Sequence, residues 1–215
     1  MYIPKHFEET RIDVLNALID TYPLATLITH SGRGLNANHI PMHRTQALTP
    51  YGTLSAHVAR GNDLLEDLAE NPDVLVVFQG PNAYISPSWY ATKEETGRVV
   101  PTWNYATVHA RGRARAIDDS AWLRAQIAAL TDRNESSFAV PWSVDDAPAD
   151  YIDGLVGAIV GVEIEIESLQ GKWKVSQNQS AANAAGVLAG LRARDLPGAQ
   201  AMASLVEERA KVDPA

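Results

Sequence analysis

The chain has 215 residues, a formal net charge of -8, no cysteine and a hydrophobic content of 46%. This length and composition are typical of one globular domain and not of a disordered chain. The charge argues against a protein that coats nucleic acid, which needs a cationic surface, and the lack of cysteine excludes disulfides, thiolate catalysis and iron–sulfur clusters.

The first part of the chain combines short strands with two helices. Apolar residues at helical spacing predict a helix over 10–21, which Pro23 ends. The elements predicted after it are a hairpin over 24–44, a strand over 53–59, a helix over 63–70 capped by Asn62, and strands over 73–79 and 83–86.

The second part begins with a stretch, 87–100, that lacks periodicity. The elements predicted after it are a strand over 101–117, a helix over 121–130, a strand over 158–168, and helices over 181–191 and 199–208. Because strands and helices do not alternate as in βαβ units, the pattern favours a mainly β (α+β) fold, an antiparallel β-barrel with peripheral helices. We expect a single domain over 1–215, with a barrel core over 1–180 and a C-terminal helical appendage over 181–215.

Charge is segregated along the chain. Three stretches, 21–62, 96–117 and 168–194, contain no Asp or Glu and hold 11 of the 18 Lys and Arg residues. One interpretation is that carboxylates are kept away from an anionic ligand such as a phosphate. The alternative is that strands disfavour Asp and Glu, and composition leaves both open.

Two predicted strands alternate strictly. Arginines occupy every second position of 111–115, and glutamates every second position of 163–167. The period of two places each set on one face of its strand. We therefore predict that the two strands are antiparallel neighbours and that the arginine row pairs with the glutamate row.

Common chemical motifs are missing from the sequence. It contains no Walker A sequence, no G-x-G-x-x-G after a strand and no G-x-S-x-G. His39, His43 and His57 lie close in sequence, but without the spacing or carboxylate of a metal site they are interpreted as ordinary hydrogen-bonded histidines. We predict no metal site, and the catalytic residues stay unknown.

Clusters of aromatic and polar residues remain in or beside the acid-free stretches. They supply the candidate site residues: His57, Arg60, Asn62, Ser86, Trp89, Tyr90, Thr102, Trp103, Asn104, Tyr105, Lys174, Ser176, Gln177 and Asn178. Aromatic rings beside Arg and Lys suit a flat aromatic ligand that carries a phosphate. The alternative, equally open, is that Trp and Tyr close the core while the polar residues form turns.

Seven collinear blocks carry a resemblance to a known family. They are 1–7, 39–41, 57–62, 77–81, 83–90, 100–105 with Val108 and His109, and Lys174 with 176–178. In these blocks the chain resembles the PaiB family of FMN-binding split-barrel proteins, which are named as negative transcriptional regulators of protease production and sporulation. The resemblance covers nearly the whole chain, although the helices after 181 match only loosely.

The resemblance implies a fold, a cofactor and a partner. The implied fold is a six-stranded antiparallel split β-barrel related to pyridoxamine-phosphate oxidase, and the implied assembly is a homodimer with FMN in a groove between subunits. Arg60 and Asn62 would lie near the phosphate, Lys174 and 176–178 would line the groove, and Trp89, Tyr90 and 103–105 would shape the ring side. Acid–base candidates are His57, His109 and Tyr105.

Three hypotheses about function follow. The first is a flavin-binding protein of PaiB type, with flavin-dependent redox activity on an unknown substrate if it is an enzyme. The second is a transcriptional regulator, in which case the charge and the lack of a helix-turn-helix argue for an indirect role without direct DNA binding. The third is a haem-binding or haem-degrading split barrel, with axial ligands offered by His39, His43, His57 and His109. With neither a signal peptide nor a membrane helix, the expected location is cytoplasmic.

Overall fold

The computed structural model of the chain describes residues 1–45 and 50–212. Within these ranges there are eight strands: β1 Glu8–Glu9, β2 Leu24–Ser31, β3 Gly34–Pro41, β4 His43–Thr45, β5 Thr53–Ala59, β6 Asp73–Ile85, β7 Thr102–Ile117 and β8 Ile159–Lys174. The same ranges contain seven α-helices: α1 Ile12–Thr21, α2 Leu64–Glu70, α3 Thr92–Thr96, α4 Ser120–Glu135, α5 Ala149–Gly157, α6 Ala181–Arg192 and α7 Pro197–Val212. Short 3₁₀ turns occur at Lys5–Phe7, Pro87–Trp89 and Val144–Asp146.

The strands form one sheet in the order β3-β2-β6-β7-β8-β5-β4, with β1 added to β8. The pairs β2–β3, β2–β6, β4–β5, β5–β8 and β1–β8 are antiparallel, so the predicted mainly antiparallel α+β fold with peripheral helices is confirmed. The described residues form eight strands and not six. The two additional strands, β1 and β4, have two and three residues and are too short to leave an alternating pattern in the sequence.

Some predicted boundaries were wrong. The two strands expected over 73–79 and 83–86 are one strand, β6, which continues through Gly80 and Pro81. The register with β2 is described only from Leu75 to Val77, so Pro81 lies beyond the residues whose amides this pairing uses. Helices α3 and α5 were not predicted, because α3 has only five residues and α5 contains two glycines, Gly154 and Gly157.

The described residues cluster into two compact units. The first unit comprises 1–18, 79–108 and the described part of 170–215, and the second comprises 19–78 and 109–169. The expectation of a single domain over 1–215 stays a prediction, and its positions 46–49 and 213–215 lie outside the described residues. Within the described ranges, no helix combines the length and apolar character that crossing a lipid bilayer requires.

The predicted arginine and glutamate rows are partly confirmed. Strands β7 and β8 are neighbours, and Arg115 donates from Nε to Glu163 Oε1 at 2.9 Å. Arg113 instead pairs with Asp73 at the start of β6, at 3.3 Å. Because β7 lies between β6 and β8, a long arginine side chain on its exposed face can reach an acid on either side.

A buried carboxylate organises the second unit. Asp67 of α2 accepts hydrogen bonds from Thr29 at 2.9 Å, Ser31 at 2.7 Å, Asn36 at 3.0 Å and the Arg33 guanidinium at 2.8 Å. The Arg33 hydrogen bond, followed by those of Asn36 and Ser31, holds the pKa of Asp67 well below its usual range. The network ties helix α2 to the β2–β3 hairpin through polar contacts that are all satisfied.

Candidate functional site

A cavity of about 270 Å³ opens within the first unit. The residues that line it are Tyr90, Thr92, Arg98, Val99, Val100, Thr102, Asn104, Lys174, Ser176, Asn178, Gln179 and Asn183. Six of the fourteen residues predicted from the sequence are among them: Tyr90, Thr102, Asn104, Lys174, Ser176 and Asn178. The structure therefore brings together candidates that are separated by as many as 88 residues in the chain.

The floor of the cavity is a polar contact between two buried side chains. Asn104 of β7 donates from Nδ2 to Ser176 Oγ at 2.9 Å, just after β8 ends. Ser176 has φ 66°, the left-handed region that non-glycine residues rarely adopt. Gln177 stabilises this turn, because its side chain accepts from Val175 N at 2.8 Å and donates to Trp173 O at 2.5 Å. Strained backbone of this kind persists where surrounding contacts fix it, and it is often found at functional sites.

Two cations line the cavity, and no acid does. Lys174 Nζ donates to Thr102 Oγ1 and to Trp103 O, the latter at 2.9 Å, which leaves one of its three protons for a ligand. Burial, reinforced by the charge of Lys172, lowers the pKa of Lys174. Arg98 follows Gly97, whose φ of 64° ends α3. Among the described residues, no carboxylate forms an ion pair with Arg98 or Lys174.

The lack of a carboxylate partner distinguishes Arg98 and Lys174 from most other cations of the acid-free stretches. Six of their eleven cations pair with carboxylates from elsewhere in the described chain: Arg33, Arg44, Arg60, Arg113, Arg115 and Arg192. Most of the segregated charge is therefore neutralised locally by ion pairs. Arg98 and Lys174 lie in one cavity and form no ion pair among the described residues.

Trp89 has a packing role in the structure. It lies in the 3₁₀ turn Pro87–Trp89, and a Cβ added at Gly186 or Gly190 of α6 would overlap its carbonyl oxygen or its indole ring. This close approach places the first turn of α6 beside the cavity, where Asn183 accepts from the backbone N of Thr92 at 3.1 Å. Ser86 caps the same 3₁₀ turn by accepting from Ser88 N.

Replacing Gly186 by alanine is expected to lower the free energy of unfolding by about 1–3 kcal/mol, because the added methyl group overlaps the Trp89 carbonyl. In an unobstructed helix the same change would be favourable by about 1 kcal/mol. Gly154→Ala on α5 is the matched control, since nothing lies within 4 Å of its added Cβ. Urea titration measures both variants, and an equal gain in stability would contradict the packing role of Gly186.

Exposed aromatic rings lie on the surface of the same unit. Trp103 is 55% exposed and meets Tyr84 edge to face, with 6.0 Å between the ring centroids. Lys172 Nζ lies 5.3 Å from the ring centre of Tyr105 and 5.8 Å from that of Tyr2. Trp103 is therefore exposed and Tyr105 half-buried, and neither lines the cavity.

Three other candidates belong to the second unit. His57 Nδ1 lies 2.8 Å from Gln126 Oε1. Asn62 accepts from Leu64 N at 2.9 Å, but the N-cap residue of α2 is Asp63 and not Asn62 as predicted. Arg60 forms a bidentate pair with Asp118 at 2.7 Å for both bonds, which raises the pKa of Arg60 and lowers that of Asp118. None of the three lines the cavity, and their assignment to a cofactor stays a prediction.

Half of the residues that line the cavity were not among the candidates predicted from the sequence. The missed residues are Thr92, Arg98, Val99, Val100, Gln179 and Asn183. Arg98 was counted among the cations of an acid-free stretch, but the sequence does not show which of those cations lack an ion-pair partner. Val100 belongs to a block that carries the family resemblance but was not chosen as a site residue, and the other four are common loop or helix residues without a local signal.

A metal ion held by protein side chains needs several histidines or carboxylates close together, whereas a haem can be held by one axial residue. In the ranges that the structure describes, no three His, Asp or Glu side chains come together as metal ligands. Burial lowers the pKa of His43 and of His109, so each favours a neutral imidazole at neutral pH.

The antiparallel sheet defines the fold as a split barrel, and its cavity is lined by two cations and by no acid. The fold is shared with the FAD and heme binding protein of Mycobacterium smegmatis, with a TM-score of 0.55 and 19% identity over 78% of this chain and 73% of that one. This likeness establishes the fold alone.

Sequence comparisons identify the family. Residues 1–168 match the family described as "Putative FMN-binding domain". An uncharacterized protein of Emericella nidulans is 34% identical, covering 99% of this chain and 98% of its own length. The Bacillus subtilis protease synthase and sporulation protein PAI 2 is 31% identical, covering 98% of this chain and 99% of its own. The chain belongs to the PaiB family of FMN-binding split-barrel proteins, and FMN is its cofactor.

Proposed function

We propose that the cavity holds the phosphate of FMN between Arg98 and Lys174 and that the protein binds the flavin without a covalent bond. The observation that supports this most directly is that these two cations share a cavity without a carboxylate neighbour. Charge-assisted hydrogen bonds from Arg and Lys to phosphate are about twice as strong as neutral ones. A carboxylate in the same wall would repel the dianion, and none of the lining residues has one.

The remaining cavity residues fit the polar parts of the same ligand. Asn104, Ser176 and Asn178 offer amide and hydroxyl groups that can bind ribityl hydroxyls or the carbonyl groups of the flavin ring. Val99 and Val100 supply apolar contact beside them. This combination of a few placed polar groups with apolar surface is characteristic of cofactor sites.

A second copy of the chain is proposed to complete the site. At about 270 Å³ the cavity is slightly smaller than the roughly 300–1,000 Å³ that encloses a drug-sized ligand. Val100 at its edge is 73% exposed, and Trp103 and Tyr84 are exposed nearby in the same unit. Exposed apolar surface of this kind usually marks an interaction site, so we propose that it forms the interface of a homodimer.

We further propose a flavin-dependent redox activity whose substrate is not identified. FMN supplies the electron or hydride transfer when bound, and the protein supplies binding, orientation and exclusion of water. His57, His109 and Tyr105 stay the proposed acid–base groups. The lowered pKa of His109 keeps its imidazole neutral and able to accept a proton.

The regulatory role that the family name describes is proposed to be indirect. A net charge of -8 opposes binding to the DNA backbone, and six cations that could contact phosphates already pair with carboxylates. We propose that any such role takes place in the cytoplasm, where cysteine-free proteins lose nothing in a reducing environment. A salt-sensitive, sequence-specific shift of duplex DNA would overturn the indirect role.

The test is the visible spectrum of the purified protein, before and after addition of FMN and removal of unbound flavin. The expected result is a flavin spectrum that persists through gel filtration and that one flavin per chain saturates. Acid precipitation should release all of the flavin, because no covalent bond holds it. A Soret band in place of the flavin bands, or no retained chromophore after addition of FMN, would overturn the proposal.

A further inference from the structure

The second unit exposes a set of large apolar side chains, which lie in the sequence between the two groups of cavity residues. We call this set the 138–155 surface. Its members are between 44% and 87% exposed: Phe138, Val140, Trp142, Tyr151 and Leu155. Scattered exposed apolar residues are normal, but five within eighteen positions form a concentration that usually marks an interaction site.

The backbone that carries this surface is held in a defined position. Glu135 Oε2 accepts from Trp142 N at 3.0 Å, and Asp146 Oδ2 accepts from Ser143 N at 2.8 Å in a capping box. Val144 and Ala147 pack against a buried cluster that includes Leu123 of α4. The segment is thus a built part of the unit, and its exposed side chains are not the result of loose packing.

Helix α5 separates its apolar residues into two faces. Ile152 and Val156, four positions apart, are buried in the cluster with Leu123. Tyr151 and Leu155, also four positions apart, remain 60% and 48% exposed. Because residues four apart lie on the same side of a helix, α5 presents one apolar face to the core and a second one to solvent.

The segment that carries the 138–155 surface is itself acidic, although Arg124 and Arg60 from elsewhere in the unit bond to it. Residues 134–158 contain five acids and no Lys or Arg. Arg124 of α4 pairs with Asp153, and Glu135 and Asp146 accept backbone hydrogen bonds. Asp145 and Asp150 have no ion-pair partner among the described residues, so the surface combines aromatic groups with unneutralised negative charge.

The combination of exposed apolar groups and negative charge indicates which kind of partner the 138–155 surface can bind. In a symmetric dimer the same patch faces itself, so a second copy would place these acids opposite one another without compensating cations. Like charges at an interface cost free energy and suppress association, whereas a basic partner gains both electrostatic attraction and apolar contact. A nucleic acid is excluded by the same sign of charge.

We propose that the 138–155 surface docks a basic, amphipathic segment of a partner protein. The aromatic side chains supply the apolar contact, with Trp142 as the main anchor, and Asp145 and Asp150 steer the cationic side of the partner. The proposal does not depend on FMN binding, since none of its residues lines the cavity.

The experiment uses the flavin-loaded protein and a fluorescein-labelled synthetic peptide of 18 residues, with leucine at helical spacing and lysine elsewhere. A second peptide replaces every lysine by glutamate. Fluorescence anisotropy should show saturable binding of the lysine peptide that weakens with salt, and no binding of the glutamate peptide. Failure of the lysine peptide to bind, or equal binding of both peptides, would overturn the proposal.

Variants localise the binding to the surface. Trp142→Ala should raise the Kd of the lysine peptide by about tenfold, as expected for an aromatic anchor, and Asp145→Asn with Asp150→Asn should raise it several-fold. The matched controls are Leu35→Ala, which removes another exposed apolar group, and Asp195→Asn with Glu208→Gln, which removes two exposed acids elsewhere. Equal losses in controls and surface variants would overturn the proposal, because binding would then follow net charge alone.

Sedimentation velocity tests the competing occupant. The oligomeric state should be the same for the wild-type protein and for Trp142→Ala. A shift of Trp142→Ala to a smaller species would overturn the proposal and assign the 138–155 surface to contact between copies of the chain.

Discussion

Replacing Arg98 by alanine and Lys174 by methionine together is expected to raise the Kd of FMN by about 10²- to 10⁴-fold, while the Kd of riboflavin changes much less. Each hydrogen bond from a cation to an anion contributes about 1.5–3 kcal/mol, and about 1.4 kcal/mol corresponds to a factor of ten. Riboflavin lacks the phosphate, so it should be insensitive to both cations. Methionine keeps the apolar stem of Lys174 and removes its charge together with its hydrogen bonds to Thr102 and Trp103. Quenching of flavin fluorescence measures the two affinities.

Two further variants complete this experiment. Arg124→Ala removes one positive charge outside the cavity and should leave both flavin affinities unchanged. Arg60→Ala tests the sequence-based assignment of the phosphate to Arg60, whose guanidinium pairs with Asp118. A loss of FMN preference in Arg60→Ala but not in the double variant would move the phosphate site to Arg60. Equal losses of FMN and riboflavin in the double variant would remove Arg98 and Lys174 from that site.

Replacing Asp67 by alanine is expected to lower the free energy of unfolding by about 2–6 kcal/mol. The change leaves the buried hydroxyl groups of Thr29 and Ser31 without their acceptor, at about 1–3 kcal/mol for each. In a protein of this size each kcal/mol lowers Tm by about 2–4 °C. Differential scanning calorimetry and urea titration measure the loss. A decrease below 1 kcal/mol would show that the hydroxyl groups find other acceptors.

The same network predicts a pH dependence with a definite sign. The pKa of Asp67 is lowered in the folded protein, so its contribution to stability is fully present above the unfolded pKa of about 3.9 and is lost as pH falls toward the folded value. The stability difference between the wild-type protein and Asp67→Asn should therefore shrink as the pH falls below about 4. Asp195→Asn, an exposed acid before α7, is the control. A difference for Asp67→Asn that stays constant with pH would contradict this role.

The alternation of side chains made much of the sheet predictable. The arginines of 111–115 and the glutamates of 163–167 identified β7 and β8 as neighbours, because period-two patterns specify which face of each strand is exposed. The partner of Arg113 could not be predicted in the same way. Its carboxylate, Asp73, belongs to the strand on the other side, and only the order of strands in the sheet places it there.

Part of the candidate site could be predicted, because polar residues of suitable chemistry lie at the ends of two strands that pair. Thr102, Asn104, Lys174 and Ser176 lie at the ends of β7 and β8, so one strand pair brings them together. The polar and aromatic residues around Trp89 predicted a ligand-binding tryptophan. In the structure Trp89 packs instead against glycines of α6, about a hundred residues further along the chain. A local sequence does not show whether an aromatic ring meets a ligand or a distant helix. Arg98 was missed for a related reason, since a lack of ion-pair partners is a property of the folded chain.

The pairing of β1 with β8 has a consequence for protein synthesis. Glu8 pairs with Lys172 and Glu9 with Gly171, so the first of the described strands can pair only after the last of them, β8, has been synthesised. At about 5–20 residues per second, a ribosome needs roughly 8–33 s to extend the chain from the first of these strands to the second. During that interval the N-terminal segment has no strand partner, and chaperones that bind nascent chains have time to reach it. The first unit is thus assembled only after β8 has left the ribosome.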